Sequence, residues 1–361
     1  MAPVVHALRN SELLEPYVVL TAQHREMLDQ MLEWFAIEPK IDLNLMQPKQ
    51  RLAELTAKVI DKMDATILQV KPDLLLVQGD TVTVMASSLA AFYQKVPVGH
   101  VEAGLRTQDR YNPFPEEMSR RQTSKLATLH FAPTQRAVDN LRAEGISEHV
   151  YLTGNTVIDA LLETSRRLEN TVVDRAVFGG ADFETNKVLL VTAHRRENWG
   201  TGMDEIALAL RQIADRFPAV QILYPIHKNP TVRESIEPVF AGHPRLILTE
   251  PLDYVPFVYA MQRCHFILTD SGGIQEEAPS LHKPVLVMRT NTERPEAVAA
   301  GVARLVGTTQ ASIFEAASEL LGDESVYNRM ARGANPFGDG QAATRITTHI
   351  EEFFASAATS T

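Results

Sequence analysis

Ten apolar runs of strand length recur along this chain of 361 residues, each followed by a polar turn and a stretch of helical period. They lie at 17–21, 73–77, 97–101, 129–132, 150–152, 187–192, 220–224, 245–249, 265–269 and 284–288. The runs are almost continuously apolar rather than alternating, which is the pattern of strands buried on both faces. Strand–helix alternation of this kind predicts an α/β fold of parallel sheets covered by helices. Ten strands exceed one doubly wound sheet of ordinary size, and a length prior of about 150 residues per domain also predicts two domains. Helical 158–168 leads into 169–185, where periodicity fades. The first domain is therefore expected at 1–168 and the second at 169–341. The tail 342–361, helical in pattern over 342–354, is followed by no strand and is expected to pack back on the first domain.

Apolar residues make up 45% of the chain and charged residues 22%, as in globular proteins with a packed core. The net charge of −10 argues against a general binder of nucleic acid or anionic membranes. Any polyanionic ligand has to be held by local arginines and backbone amides. Cys264 is the single cysteine and permits no intramolecular disulfide, which suits a reducing compartment. No apolar run approaches the ~20 residues of a membrane span. The opening MAPVVHALRNSELLEPY lacks the basic flank and apolar centre of a secretion signal. A cytoplasmic protein is expected.

In open parallel sheets ligands gather beyond the carboxyl ends of the strands. The run 73–77 leads into Gln78-Gly79-Asp80-Thr81, and 97–101, which carries His100, into Glu102-Ala103-Gly104-Leu105-Arg106. In the second half, 187–192 opens onto His194-Arg195-Arg196-Glu197-Asn198 and 220–224 onto His227-Lys228-Asn229. Between 265–269 and 284–288, Asp270-Ser271-Gly272-Gly273 turns the chain into a helix beginning near Ile274. The two glycines remove the side-chain shield over the first-turn amides, making an anion site of the kind phosphate occupies. Glu276 and Glu277 follow, where a carboxylate can accept both hydroxyls of a ribose, and Pro279 kinks or closes the helix. The spacing suits a nucleoside diphosphate and is not the dinucleotide pattern GxGxxG. Carboxylates come from the first half; histidine, arginines and the phosphate turn come from the second. That division predicts acid–base chemistry on one wall of a cleft and a nucleotide on the other.

Each feature also has a plain structural reading. Asp80 can be the N-cap of helical 81–92. Glu116 and Glu117, after Pro113 and Pro115, suit the first turn of a helix. Glu102 stands beside no evident helix start. The cluster from His194 to Glu197 can be a solvated group ahead of helical 203–217, and the Ser-Gly-Gly turn a tight strand–helix connection. Phe257 can stack on a base or fill the core. Arg289 and Arg294 follow the last strand, where arginine can bridge phosphate or hold a sugar hydroxyl. The histidines lack metal-ligand spacing, and no GxSxG elbow or Walker motif occurs, so no metal centre is expected.

Together, QHREMLD, QGDT, GHVEAGLRT, PFPEEMSR, HFAPT, TGNTVIDAL, TAHRREN, YPIHKNP, TDSGGIQEEAPSL, KPVLVMR and TERPEAV resemble the non-hydrolysing UDP-N-acetylglucosamine 2-epimerases over almost the whole chain. The resemblance implies the glycosyltransferase-B fold, two Rossmann-like domains facing across a cleft. It implies an isomerase that interconverts UDP-GlcNAc and UDP-ManNAc for envelope polysaccharide, usually as a homodimer, with no metal or nicotinamide cofactor. Asp80, Glu102 and Glu116 match the family's catalytic acids, with Glu102 the favoured base, and His194 its catalytic histidine near the diphosphate. Arg120 matches a residue meeting the sugar. Ser271, Gly272, Gly273 and Glu277 match the UDP site, Phe257 the uracil contact and Arg294 a substrate contact. Gln23, Arg195 and His227 match positions that bind a second, activating UDP-GlcNAc in some bacterial members, although Glu26 stands where some have glutamine.

The resemblance also implies a departure. The family begins with a buried strand and a Gly-Thr-Arg-Pro-Glu loop ahead of a helix that reads like MAPVV, about 15–20 further residues by usual element sizes. The first domain is expected to lack its usual N-terminal strand, whether by an internal start or by truncation. Poor folding of that domain and crippled activity follow as expectations, which a sharp cooperative melt with full turnover would contradict. Two alternatives stand beside the epimerase. A glycosyltransferase of the same fold explains the UDP turn but not three acids with His194. A catalytically impaired nucleotide-sugar-binding protein fits the missing start.

Overall fold

A computed structural model describes residues 1–21, 25–47 and 50–359. Among the described residues the strands are β1 (Val19–Leu20), β2 (Ile41–Asp42), β3 (Leu75–Gln78), β4 (Val98–Val101), β5 (Leu129–Ala132) and β6 (Val150–Leu152). They continue with β7 (Lys187–Thr192), β8 (Val220–Pro225), β9 (Leu246–Thr249), β10 (Phe266–Thr269), β11 (Val285–Val287) and β12 (Ala303–Leu305). Each of the ten apolar runs carries a strand. The other two, β2 and β12, are two and three residues long with Asp42 and Arg304 exposed, so neither presents an apolar run. Every pairing is parallel. The sheets run β3-β4-β5-β6 and β12-β11-β10-β7-β8-β9, with β1-β2 a separate pair. This is the α/β class that the alternation implies.

The chain divides into two compact units, Met1–Ala160 with Phe337–Thr361, and Leu161–Pro336. The division falls inside the helix Thr156–Leu168. In the first unit, helices Leu52–Val70 and Val82–Tyr93 pack through Val59, Met63 and Ile67 against Ala86, Ala90 and Ala91, whose small side chains permit close approach. The terminal helix Ala342–Thr359 brings Ile346 and Ile350 into one cluster with Val4, Leu8, Leu129 and Phe131. Burial of each isoleucine stabilises by about 2 kcal/mol. Its start is capped from far along the chain. Asp159 accepts the amides of Ala342 at 3.2 Å and Ala343 at 2.9 Å, where a carboxylate also complements the helix dipole. In the second unit, helix Thr201–Arg216 buries Met203, Ile206, Leu210 and Ile213 at helical spacing against Val191, Ile222 and Leu268. Among the described residues no helix is long and apolar enough to cross a membrane.

Two histidines inside the first sheet are held uncharged. His100 on β4 is fully buried, and burial pulls its pKa down to about 4 despite the hydrogen bond it donates to the Gly79 carbonyl at 2.8 Å. His130 on β5 is pulled to about 4, chiefly by burial and then by the charge of Arg106. An unfolded histidine takes its proton near pH 6.5, so between about 6.5 and 4 the unfolded chain binds more protons. Stability is therefore full above about pH 6.5 and falls as pH drops toward 4, by about 3 kcal/mol per histidine. Thermal melts between pH 7 and 4.5 should show this decline, with His130→Gln flattening it. An equal slope in that variant would remove His130 as a cause.

Candidate active site

In the first unit the candidate acids sit at the carboxyl ends of β3 and β4. After Gln78 the chain turns through Gly79, whose φ of +83° suits glycine, into Asp80. Thr81, not Asp80, caps the helix Val82–Tyr93, its hydroxyl accepting the Val84 amide at 3.4 Å. Asp80 is thus released from capping and lies 3.1 Å from Nη2 of Arg120. Glu102 follows β4 with a φ of +66°, a left-handed conformation that costs a non-glycine residue roughly 1–2 kcal/mol. A Cβ at Gly79 would lie 3.7 Å from Glu102 Oε2, so this carboxylate stands beside the turn that carries Asp80.

Glu116 opens the helix Glu116–Leu126, half-buried and one turn before Arg120 on the same helix face. Its neighbour Glu117 is fully buried and acts as a brace. Glu117 accepts the Thr107 amide at 3.1 Å and Arg121 Nε at 2.8 Å, and lies 3.6 Å from Arg120 Nε. Arg120, only 7% exposed, is held between Glu117 and Asp80.

In the second unit β7 and β10 are neighbours, so residues 194–198 and 270–273 emerge side by side. The Thr192 and Thr269 hydroxyls bond across at 2.6 Å. Asp270 is fully buried; its Oδ2 accepts the amides of His194 at 2.9 Å and Arg195 at 2.8 Å, and Asn198 Nδ2 at 3.1 Å. The His194 ring stacks on His227 with centroids 5.5 Å apart. Burial lowers the His194 pKa; Asp270 opposes this, while His227 and Arg195 add to it. His227 Nδ1 accepts the Asn229 amide at 3.1 Å, which leaves the proton of its neutral ring on Nε2.

Ser271 precedes the short helix Gly272–Glu277 and makes no capping bond with its side chain. A Cβ on Gly272 would lie 3.8 Å from Arg195 Nη2 and 3.9 Å from the Arg294 guanidinium, so two cations flank the glycine turn. Gly273 is exposed. Glu276, one of two carboxylates that sequence alone offers to a ribose, is engaged by Arg294. That leaves Glu277, whose carboxyl is pushed up to about 8 by burial and by the Glu276 charge. Arg289 is buried with Nε on Glu197 at 2.6 Å, and so braces the loop rather than standing open. A cavity of about 230 Å³ is lined by His194, His227, Pro225, Phe257, Ser271 and Ile274.

Arg195 and His227 therefore belong to the same cluster as His194 and the glycine turn. Gln23 lies outside the described residues. Among the described residues no group of three or more His, Cys, Asp or Glu could hold a metal ion. Sequence alone does not single out Asp270 or Glu117. Asp270 has a signal, a carboxylate directly after a strand that is buried throughout; Glu117 has none, because the partners that define it are Thr107, Arg120 and Arg121.

Parallel α/β units, one gathering acids and the other an arginine-flanked Ser-Gly-Gly turn, describe an enzyme of nucleotide-linked chemistry. A family model for UDP-N-acetylglucosamine 2-epimerase matches residues 6–351. The chain is 51% identical over 353 residues to the UDP-N-acetylglucosamine 2-epimerase of Escherichia coli strain K12, covering 96% of this chain and 93% of that protein. It is 48% identical over 352 residues to the one from Bacillus subtilis strain 168, covering 97% and 91%. The crystal structure of UDP-GlcNAc 2-epimerase from Neisseria meningitidis bound to UDP-GlcNAc matches with a TM-score of 0.88 at 47% identity, covering 98% of this chain and 96% of that one. The chain belongs to the UDP-N-acetylglucosamine 2-epimerase family.

Glu117→Gln would set an amide N–H₂ against two guanidinium groups in a buried position. It should cost the first unit about 3 kcal/mol, since breaking a buried ion pair leaves its partners uncompensated. Urea unfolding monitored in that unit checks this; an unchanged midpoint would show the brace to be dispensable.

Proposed function

We propose that this chain is a cytoplasmic isomerase that inverts carbon 2 of UDP-N-acetylglucosamine, interconverting it with UDP-N-acetylmannosamine for envelope polysaccharide synthesis. The observation that carries this reading is a family match over residues 6–351, which includes every stretch building the two clusters.

The carbon-2 proton of the sugar has no adjacent carbonyl to acidify it, so direct removal is slow. Cleavage of the anomeric C–O bond first develops positive charge at carbon 1 and releases UDP as an anion. A carboxylate then takes the carbon-2 proton, leaving 2-acetamidoglucal with bound UDP. Protonation from the other face and return of UDP give the epimer. In this reading Glu102 is the base, Asp80 and Glu116 complete the acid–base set, and Arg120, paired with Asp80, meets the sugar. The Ser271-Gly272-Gly273 turn, His194 and Arg294 take the diphosphate, where preoriented donors stabilise the charge that develops on departure. Phe257 takes the uracil. Glu277, protonated below about pH 8, can both donate to and accept from ribose hydroxyls. Arg195 and His227, with Gln23, are assigned to a second, activating UDP-GlcNAc.

The enzyme is further proposed to be a homodimer. Leu68, Phe92 and Tyr93 are more than half exposed on two helices tied by the Gln94–Asp64 hydrogen bond, and they supply apolar surface for such a contact.

Proton NMR of UDP-GlcNAc with the enzyme in deuterated water should show deuterium entering carbon 2 as UDP-ManNAc appears. Glu102→Gln should slow both by about a hundred-fold or more. UDP release that depends on an added acceptor would make the protein a glycosyltransferase, and binding without exchange a nucleotide-sugar-binding protein; either outcome overturns the reading. Sedimentation of the same preparation should give twice the chain mass, and a single chain mass removes the dimer.

A further inference from the structure

Asp270, like Glu117 a fully buried carboxylate, takes no part in the proposed chemistry. Asp270 is 0% exposed at the end of β10. Its Oδ2 is saturated by the His194 and Arg195 amides and by Asn198 Nδ2. Its Oδ1 is buried with no hydrogen-bond partner and lies 3.5 Å from His194 Nδ1. A carboxylate oxygen out of water is costly unless a donor reaches it, and the imidazole edge is the donor in reach. Three N–H groups on Oδ2 fix the orientation of the carboxylate, so Oδ1 stays aimed at the ring.

We propose that Asp270 is a positioning residue for His194, holding its imidazole in the Nδ1–H form and supporting the imidazolium when a diphosphate binds. The proposal rests on the reading that His194 serves the diphosphate. A carboxylate on Nδ1 fixes both tautomer and ring orientation, which turns the opposite edge, Nε2, toward a ligand. The groups facing His194 divide by their effect on its charge. His227 stacks on the ring from beyond β8, Arg195 follows in the chain, and the Arg294 guanidinium stands across Gly272 near Arg195. His227 and Arg195 disfavour a charged imidazole, and so does burial; Asp270 favours one. A bound diphosphate joins Asp270 on that side of the balance. His194 then becomes a cationic Nε2–H donor when the anion is present.

The test reads His194 directly, by NMR of isotope-labelled histidine. The resonance missing in His194→Asn is followed against pH, with and without UDP. The neutral ring should be Nδ1-protonated, and UDP should raise its pKa. Asp270→Asn keeps an oxygen for the three donors but sets an N–H against Nδ1. It should lower the His194 pKa by about one unit or more. It should also cut kcat about ten- to a hundred-fold with KM little changed, and add no further loss in a His194→Asn background. An Nε2–H tautomer in the unsubstituted enzyme, an unmoved His194 pKa in folded Asp270→Asn, or additive losses in the double variant would overturn the proposal. Should Asp270→Asn fail to fold, the tautomer and the UDP-induced shift of the unsubstituted enzyme decide it. An enzyme that shows both but never exchanges carbon-2 hydrogen would refute the epimerase reading and leave the Asp270–His194 pair standing.

Discussion

The candidate site of the second unit depends on a carboxylate taken out of water. Burying Asp270 is unfavourable unless its oxygens are met by donors, and two of the three donors to Oδ2 are main-chain amides of one loop. That requirement pins residues 194 and 195 to the end of β10. Other bonds hold the same loop from different directions. Tyr224 donates its hydroxyl to the Ala193 carbonyl at 2.6 Å, Asn198 also reaches the Met288 carbonyl at 3.3 Å, and Arg289 holds Glu197. A loop fixed this way cannot reorganise cheaply as charge moves in front of it, and such fixity is what makes donors effective in stabilising a departing anion.

The first unit solves a similar problem with a different anchor. Glu117 is buried and inert, yet its grip on Arg120 sets where Asp80 can stand, because Arg120 is the shared partner. Glu102 is fixed by the backbone. Its left-handed φ is held between two main-chain bonds, Gly79 N–H to the Val101 carbonyl at 3.1 Å and Ala103 N–H to the Phe131 carbonyl at 3.0 Å. Strain at Glu102 and ion pairing at Asp80 are two ways of holding a carboxylate in a set place.

The fold was legible because buried strands leave uninterrupted apolar runs, whereas β2 and β12 are short and each carry an exposed charged residue. The ends of those strands were legible too, since acids, histidines and paired glycines are unusual there. Sequence could not decide matters set by distant partners. Asp80 reads as the N-cap of the next helix, yet Thr81 holds that cap. Glu276 and Glu277 look equivalent until Arg294, far along the chain, engages the first. Glu117 looks like a twin of Glu116 until Thr107, Arg120 and Arg121 close around it. Adjacent like residues acquire different roles from tertiary contacts, which local patterns do not encode.

The assignment of charge to the two units bears on the reaction itself. A protein of net charge −10 gathers the groups proposed for a diphosphate, arginine, histidine and amide, in one unit and its candidate acids in the other. Cations gathered around a base lower its basicity, and carboxylates beside a diphosphate repel it. Separate units allow each set to be built on its own buried anchor, Glu117 in one and Asp270 in the other. The proposed reaction calls on both kinds of group. A reaction that removes an anion from one carbon and a proton from the next has this need, because the leaving group asks for cations and amides while the neighbouring C–H asks for a carboxylate. Elimination of UDP across carbons 1 and 2 makes both demands, whereas transfer of the sugar to an acceptor gives no comparable task to three acids.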